Sequence, residues 1–230
     1  MDHTVWSLQA LLLLAEANTT KDMQYNLVYA EESQTPISTA WTLRQIGVFC
    51  RYCPNANGNL FIFLHAKEGS KVQTRLAATM KQWEMSGAGT RNWLCLHLLV
   101  FSSYCPSWRF YLSDVNQELE SIADVALTLE FSQNEHYASG YTQLRKLKHL
   151  EDKVLPLSAR FRTTLATVTA LKDANEMFNA TGLCESKEYL EMSNELRYYE
   201  TLLEGHLETV GLMERRVREI LNLVCVSLVF

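Results

Sequence analysis

Few residues in the chain have the types and spacing that chemistry requires. Cys50-Arg-Tyr-Cys53 sets two thiols at the interval that lets thiolates converge from a tight turn on a metal ion or a redox partner. Zinc would need two further ligands, with Cys95, His97 and Cys105 as candidates. None repeats a ligand spacing, and the pair falls at a strand end rather than a helix N-terminus, so ordinary semi-buried thiols are the expectation. The six histidines, His3, His65, His97, His136, His149 and His206, are scattered and form no H-E-x-x-H pair. Gly-x-Ser-x-Gly, P-loop and dinucleotide fingerprints are absent. The carboxylates Asp114, Glu118, Glu120 and Asp124 gather in one short stretch, where oxygen-only ligands suit a hydrated Mg²⁺ ion. A solvated acidic face is the competing reading. With no catalytic signature, the expectation is a non-enzyme without a small-molecule substrate, and Mg²⁺ is the one candidate cofactor.

The bulk composition narrows the partners. At 230 residues, 47% of them hydrophobic and 20% charged, the chain can bury a sizeable core and is not expected to be disordered. A formal charge of -5 argues against a nucleic-acid surface, which needs a clustered basic excess. The nearest such clusters, Arg145-Lys146-Lys148 and Arg215-Arg216-Arg218, fall on expected helix faces that water would cover. Six cysteines in no dense framework suit a reducing compartment. The apolar run Leu11 to Leu14 has Asp2 and His3 where a basic leader should begin, and it is closed by Glu16, so no secretory signal is expected. Two sequons, at Asn18 and Asn179, would be inert in a cytosolic chain. No stretch approaches the ~20 apolar residues that span a bilayer. The expected location is cytoplasmic, at most at the cytoplasmic face of a membrane.

The elements that would position these residues can be read from periodicity. Residues 4–17 read as a helix, with Val5, Leu8, Leu11, Leu12 and Ala15 on one side. Residues 25–29 and 41–52 read as strands separated by a polar loop containing Pro36. Turn chemistry at 54–58 and the apolar run at 60–65 predict a hairpin over 41–65 whose second strand is buried. Val72, Leu76, Ala77 and Met80 predict a helix over 71–85, stopped by Gly87-Ala-Gly89. The continuous apolar run at 93–101 predicts a central strand. Residues 107–122 predict a helix with Trp108, Tyr111, Leu112, Val115 and Leu119 inward, and residues 124–131 a short strand.

From Tyr141 onward the pattern is helical. Leu147, Leu150, Val154, Leu157, Phe161, Val168, Leu171 and Phe178 keep a heptad series with Thr164 and Asn175 as polar members, and Pro156 predicts a kink or break near Leu155. Asn179-Ala-Thr-Gly182 is expected to end this helix and Ser186 to cap the next. There Tyr189, Met192, Leu196, Tyr199, Leu203, Val210, Met213, Val217, Ile220 and Val224 hold a 3,4 spacing interrupted only by His206. The helix would run roughly 36 residues, about 54 Å. A polar residue at a heptad core position commonly sets register or oligomer state, the alternative being a seam exposed at that level. Glu191, Glu195, Arg197, Glu200, Glu204, Glu208 and the 214–219 charges form the outer face. Two such helices joined by a short turn predict an antiparallel hairpin. The expected class is α/β (α+β), a mixed sheet flanked by helices and followed by long stalk-like antiparallel helices. It divides into a sheet domain over 1–136 and a long-helix region over 137–230.

The segment Trp41-Thr-Leu-Arg-Gln-Ile-Gly-Val-Phe49, with Trp41, Arg44, Gln45 and Gly47 as its motif positions, resembles the W-S-x-R-Q-x-G-x-Y segment of the CorA-like domain in fungal proteins related to CorA magnesium transporters. The later segments come in a similar order: a short strand at 60–65, an apolar strand at 93–101 leading into Trp108-Arg-Phe-Tyr-Leu112, a Leu-rich stretch ending Val-Leu-Pro-Leu at 157, and a long closing helix. The resemblance implies a cytoplasmic domain of a divalent-cation transporter, whose last helix acts as a stalk running toward the membrane in a pentamer. It implies homo-oligomers or a membrane-protein partner, engaged through the C-terminal helices. The chain lacks the family's Gly-Met-Asn motif, and its terminal apolar run at 224–230 is too short to span. The expectation is therefore a regulatory or assembly domain that conducts no ions, and the alternative is a stand-alone protein-interaction scaffold using the helical hairpin.

Overall fold

The computed structural model describes residues 11–13, 21–35, 38–53, 58–65, 67–86, 93–128 and 134–229. In chain order the elements are β1 (Leu11–Leu13), β2 (Lys21–Thr35), β3 (Ser38–Cys53), β4 (Gly58–His65), α1 (Lys71–Ser86), α2 (Leu94–Tyr104), α3 (Ser107–Thr128), α4 (Asn134–Ala180) and α5 (Ser186–Val229). This is the expected α+β class, with a sheet followed by long C-terminal helices. The chain divides into two compact units, the first comprising residues 1–107 and 163–202, the second residues 108–162 and 203–230.

In the first unit the strands form one sheet in the order β1-β2-β3-β4, every neighbouring pair antiparallel. The hairpin β2–β3 is far longer than the two short strands expected, because pairing continues to Thr35↔Ser38. Alternation puts Met23, Tyr25, Leu27 and Tyr29 of β2 and Ile46, Val48 and Cys50 of β3 on the buried face. Phe61, Phe63 and His65 of β4 lie opposite Cys50, Val48 and Ile46 and share that face. Helix α2 covers it: Tyr29 stacks on Tyr104 at 3.7 Å between ring centroids, and Tyr25 lies 6.2 Å from Phe101.

Several sequence expectations are corrected here. Residues 94–104 are helix α2, not a central strand. The run Leu-Cys-Leu-His-Leu-Leu-Val-Phe is rich in leucine with a single β-branched residue, and burial at Trp93, His97, Val100 and Tyr104 keeps the helical period. A helix buried almost all round and a buried strand look alike in hydropathy. Leu11 to Leu13, expected within a helix, pair as strand β1 with Asp22 to Gln24. Residues 124–128, expected as strand, continue α3. Strand β4 is not buried on both faces: Leu60, Ile62 and Leu64 are 50%, 45% and 68% exposed, because they alternate to the face of the sheet turned away from α2. Residues 4–10, 14–17, 36–37, 54–57, 87–89 and 129–131, to which helix, loop, turn, stop and strand readings applied, lie outside the described residues.

Helix termini follow from local chemistry. Ser70 caps α1, its Oγ accepting from the Gln73 N–H at 3.2 Å while the Gln73 side chain accepts from the Gly69 N–H at 3.0 Å. Arg75 donates from α1 to the Ser102 and Ser103 hydroxyls of α2. Helix α4 continues through Pro156, so of the kink or break expected near Leu155 the break does not occur. Leu155 and Pro156 are exposed, so the carbonyl deprived of a partner can turn to water. At the end of α4, the Leu183 N–H donates to Phe178 at 2.9 Å and the Gly182 N–H to Asn179 at 3.1 Å, a Schellman closure with Gly182 at φ +70°. Ser186 is the first residue of α5 rather than its cap, since the Tyr189 N–H already reaches the Glu185 carbonyl. Gly182→Ala is expected to cost about 1 to 2 kcal/mol in a urea titration, because the left-handed conformation penalises Cβ even in open space.

Candidate functional site

The seam of α4 and α5 is the feature that the sequence singles out, and it is described unit by unit. In the first unit, Leu196 and Tyr199 of α5 are buried, as are Val168, Leu171, Ala174 and Phe178 of α4. Asn175, a polar member of the α4 series, is 1% exposed and donates from Nδ2 to the Tyr189 carbonyl at 3.2 Å and to the Ser193 hydroxyl at 2.9 Å. Lys172 pairs with Glu200 at 2.7 Å. Glu200, expected on the solvated side, is therefore half-buried and tied to α4. Thr164 is buried. Tyr189 and Met192, the first seam positions, are only half-buried.

In the second unit Leu203, His206, Val210, Met213, Val217, Ile220 and Val224 are buried along α5, and Leu147, Leu150, Val154, Leu157 and Phe161 along α4. The Ser158 hydroxyl donates to Glu214, and the Phe161 ring lies 5.6 Å from that of His206. The contact partners descend along α4 as they ascend along α5, so within each unit the two helices run antiparallel, as the sequence predicts. His206 is buried, not solvent-exposed, at its heptad position, and burial lowers its pKa. Its Nε2 has no hydrogen-bond partner among the described residues.

The four carboxylates considered for Mg²⁺ all lie on α3, in the same unit. Glu118 pairs with Lys153 at 2.8 Å, and Glu120 pairs with both terminal nitrogens of Arg216. Asp114 and Asp124 are exposed. Among the described residues, no group of three or more His, Cys, Asp or Glu side chains is positioned to hold a metal ion, so these carboxylates do not present a ligand set. Cys50 is buried in β3, and Cys53 is the last residue of that strand, opposite Gly58.

The motif residues of the first unit sit on β3, opposite β2. Arg44 pairs with Glu31, which Lys67 also reaches at 2.8 Å. Burial alone would raise the pKa of Glu31, but the hydrogen bonds from Lys67 and Arg44 outweigh it and lower the pKa. Gln45 lies opposite Val28, and Trp41, half-buried, opposite Glu32. A Cβ added at Gly47 would stand 3.2 Å from the Asn26 amide oxygen and 3.4 Å from the Leu64 Cβ, so this position has little room for a side chain.

Sequence reasoning missed the role of His97. It is fully buried, its Nδ1 lies 3.0 Å from the Tyr25 hydroxyl, and its ring meets Phe61 and Trp93 edge-on at 5.1 and 5.2 Å. Burial pushes its pKa down to about 3, so the ring is neutral at physiological pH. The signal was its place in the longest apolar run of the unit, which pointed to burial but not to the tyrosine on β2.

No family profile matches the chain, and no curated protein matches it. Among solved structures, the cytoplasmic domain of ZntB from Vibrio parahaemolyticus RIMD 2210633 is similar over 94% of this chain and 74% of that chain, at 10% identity and a TM-score of 0.40. Among the described residues, no helix is long and apolar enough to cross a membrane.

Proposed function

We propose that the chain is a non-enzymatic CorA-like cytoplasmic domain, the regulatory or assembly part of a divalent-cation (Mg²⁺) transport system. In this reading it works at the cytoplasmic face of a membrane, as a homo-oligomer or with a membrane-protein partner, through its C-terminal helices. The observation that carries the reading is a joint one. The segment Trp41 to Phe49, which resembles the CorA-like motif, lies on a strand inside the sheet, and that sheet is followed in the chain by two long helices whose largely apolar seams are buried within each unit. The 93–101 run departs from the order used for the resemblance, since it is helical.

The test is to add millimolar Mg²⁺ and follow both melting temperature and oligomer mass, with NaCl at matched ionic strength as control. A ligand that binds only the folded state raises the midpoint, by about 2 to 4 °C for each kcal/mol of linkage in a chain of this size. A Mg²⁺-specific shift would support this reading. No shift, or the same shift with NaCl, would favour the scaffold reading, in which the helical hairpin binds another protein without any ion. The purified chain added to Mg²⁺-loaded liposomes is expected to give no flux above the empty-liposome control, since among the described residues no helix is long and apolar enough to supply a spanning path.

A further inference from the structure

Strand β4 forms one edge of the sheet, and among the described residues its only strand partner is β3. Edge strands of soluble proteins usually carry a lysine, a proline or a bulge that discourages pairing with another chain. From Gly58 to His65 there is no charged residue and no proline, and the register with β3 continues without a bulge. Three aliphatic side chains, Leu60, Ile62 and Leu64, are exposed along the face away from the helices. Such an edge leaves alternate backbone N–H and C=O groups of β4 without a strand partner among the described residues.

Leu60-Phe61-Ile62-Phe63-Leu64 reads the same in both directions. Antiparallel pairing of this segment with itself, centred on Ile62, sets Leu60 opposite Leu64, Phe61 opposite Phe63 and Ile62 opposite Ile62. Aliphatic residues then meet aliphatic ones on the exposed face, and aromatic residues meet aromatic ones on the helix-covered face. The backbone phase agrees as well. In an edge strand alternate residues turn both N–H and C=O away from the sheet. Partners in this register are always both even-numbered or both odd-numbered, so outward-facing groups of one copy meet outward-facing groups of the other. A two-fold interface demands this self-complementarity, whereas a strand from an unrelated protein would require no palindrome.

We propose that a second copy of the chain occupies this edge, the two sheets joining through β4–β4 pairing about a two-fold axis at Ile62. The pairing does not depend on the Mg²⁺ reading, and it uses the sheet rather than the long helices. Analytical ultracentrifugation of the purified chain across a micromolar range should show a monomer–dimer equilibrium. Ile62→Lys places like charges directly opposite one another and should raise the dimer Kd about tenfold or more, and Ile62→Glu should do the same. Mixing the two variants should restore a dimer, because position 62 meets only position 62. Circular dichroism checks that each variant stays folded. If the substitutions at 62 unfold the chain, the pair at 60 and 64 decides: Leu60→Glu with Leu64→Lys should dimerise, and Leu60→Lys with Leu64→Lys should not. A monomeric wild type, a dimer indifferent to Ile62→Lys, or mixed variants that stay monomeric would each overturn the proposal.

Discussion

Replacing Leu203 with alanine is expected to lower the unfolding free energy by about 2 to 5 kcal/mol, the usual range for truncating a buried leucine. Leu203 is fully buried on α5, in the seam that continues through His206 and Val210. Truncation removes its transfer free energy and leaves a cavity that a helix flanked by other packed side chains closes only in part. Glu208 is exposed on the same helix, and Glu208→Ala should stay within about 0.5 kcal/mol. Glu200 is not a neutral control, since removing it would strand the half-exposed Lys172. Urea titrations of the three proteins separate the cases. Equal losses at Leu203 and Glu208 would sink the assignment of the seam.

That seam was legible in the sequence because a 3,4 spacing over many turns has no other physical reading, and the two series mark which faces of α4 and α5 are buried. The inner residues of α3 were legible for the same reason. The sheet was legible only where alternation was clean, as in Ile46, Val48 and Cys50. What failed was the interpretation of continuous apolar runs. Residues 94–101 are apolar at almost every position, which erases in hydropathy the difference between a period of 2 and one of 3.6, although Cys95, Leu98 and Leu99 are only half-buried. In β4 the run Leu-Phe-Ile-Phe-Leu suggested burial on both faces, yet its aliphatic half is exposed because it lies on the face of the sheet opposite α2. Hydropathy reports what a residue prefers, not whether a neighbour is there to cover it. The pairing of His97 with Tyr25 was illegible for a different reason. The two are 72 residues apart, and only the placement of α2 across the sheet brings them together.

Acidification below pH 6.5 should destabilise the protein, with His97 as the leading contributor. Its pKa is about 3 in the folded state against the ordinary 6.5, because burial among aromatic rings disfavours the charged form. Above pH 6.5 the ring is neutral in both states and contributes no pH dependence. Below that, the unfolded chain takes up a proton that the folded chain refuses. Stability then falls with decreasing pH by about 1.4 kcal/mol per unit, until the folded pKa is reached. Between pH 6.5 and 4.5 the loss from this one group is on the order of 2 to 3 kcal/mol. His65 and His206 are also lowered by burial and act in the same direction. Asp22 and Glu31 are held low by their basic partners, so their contributions are lost only at more acidic pH, outside this window. Urea titrations at half-unit steps from pH 7.5 to 4.5 measure the slope. His97→Phe will lower stability at neutral pH by orphaning the Tyr25 hydroxyl, but it should flatten the decline between pH 6.5 and 4.5. A slope unchanged by that substitution would show that the buried imidazole is not the group being titrated.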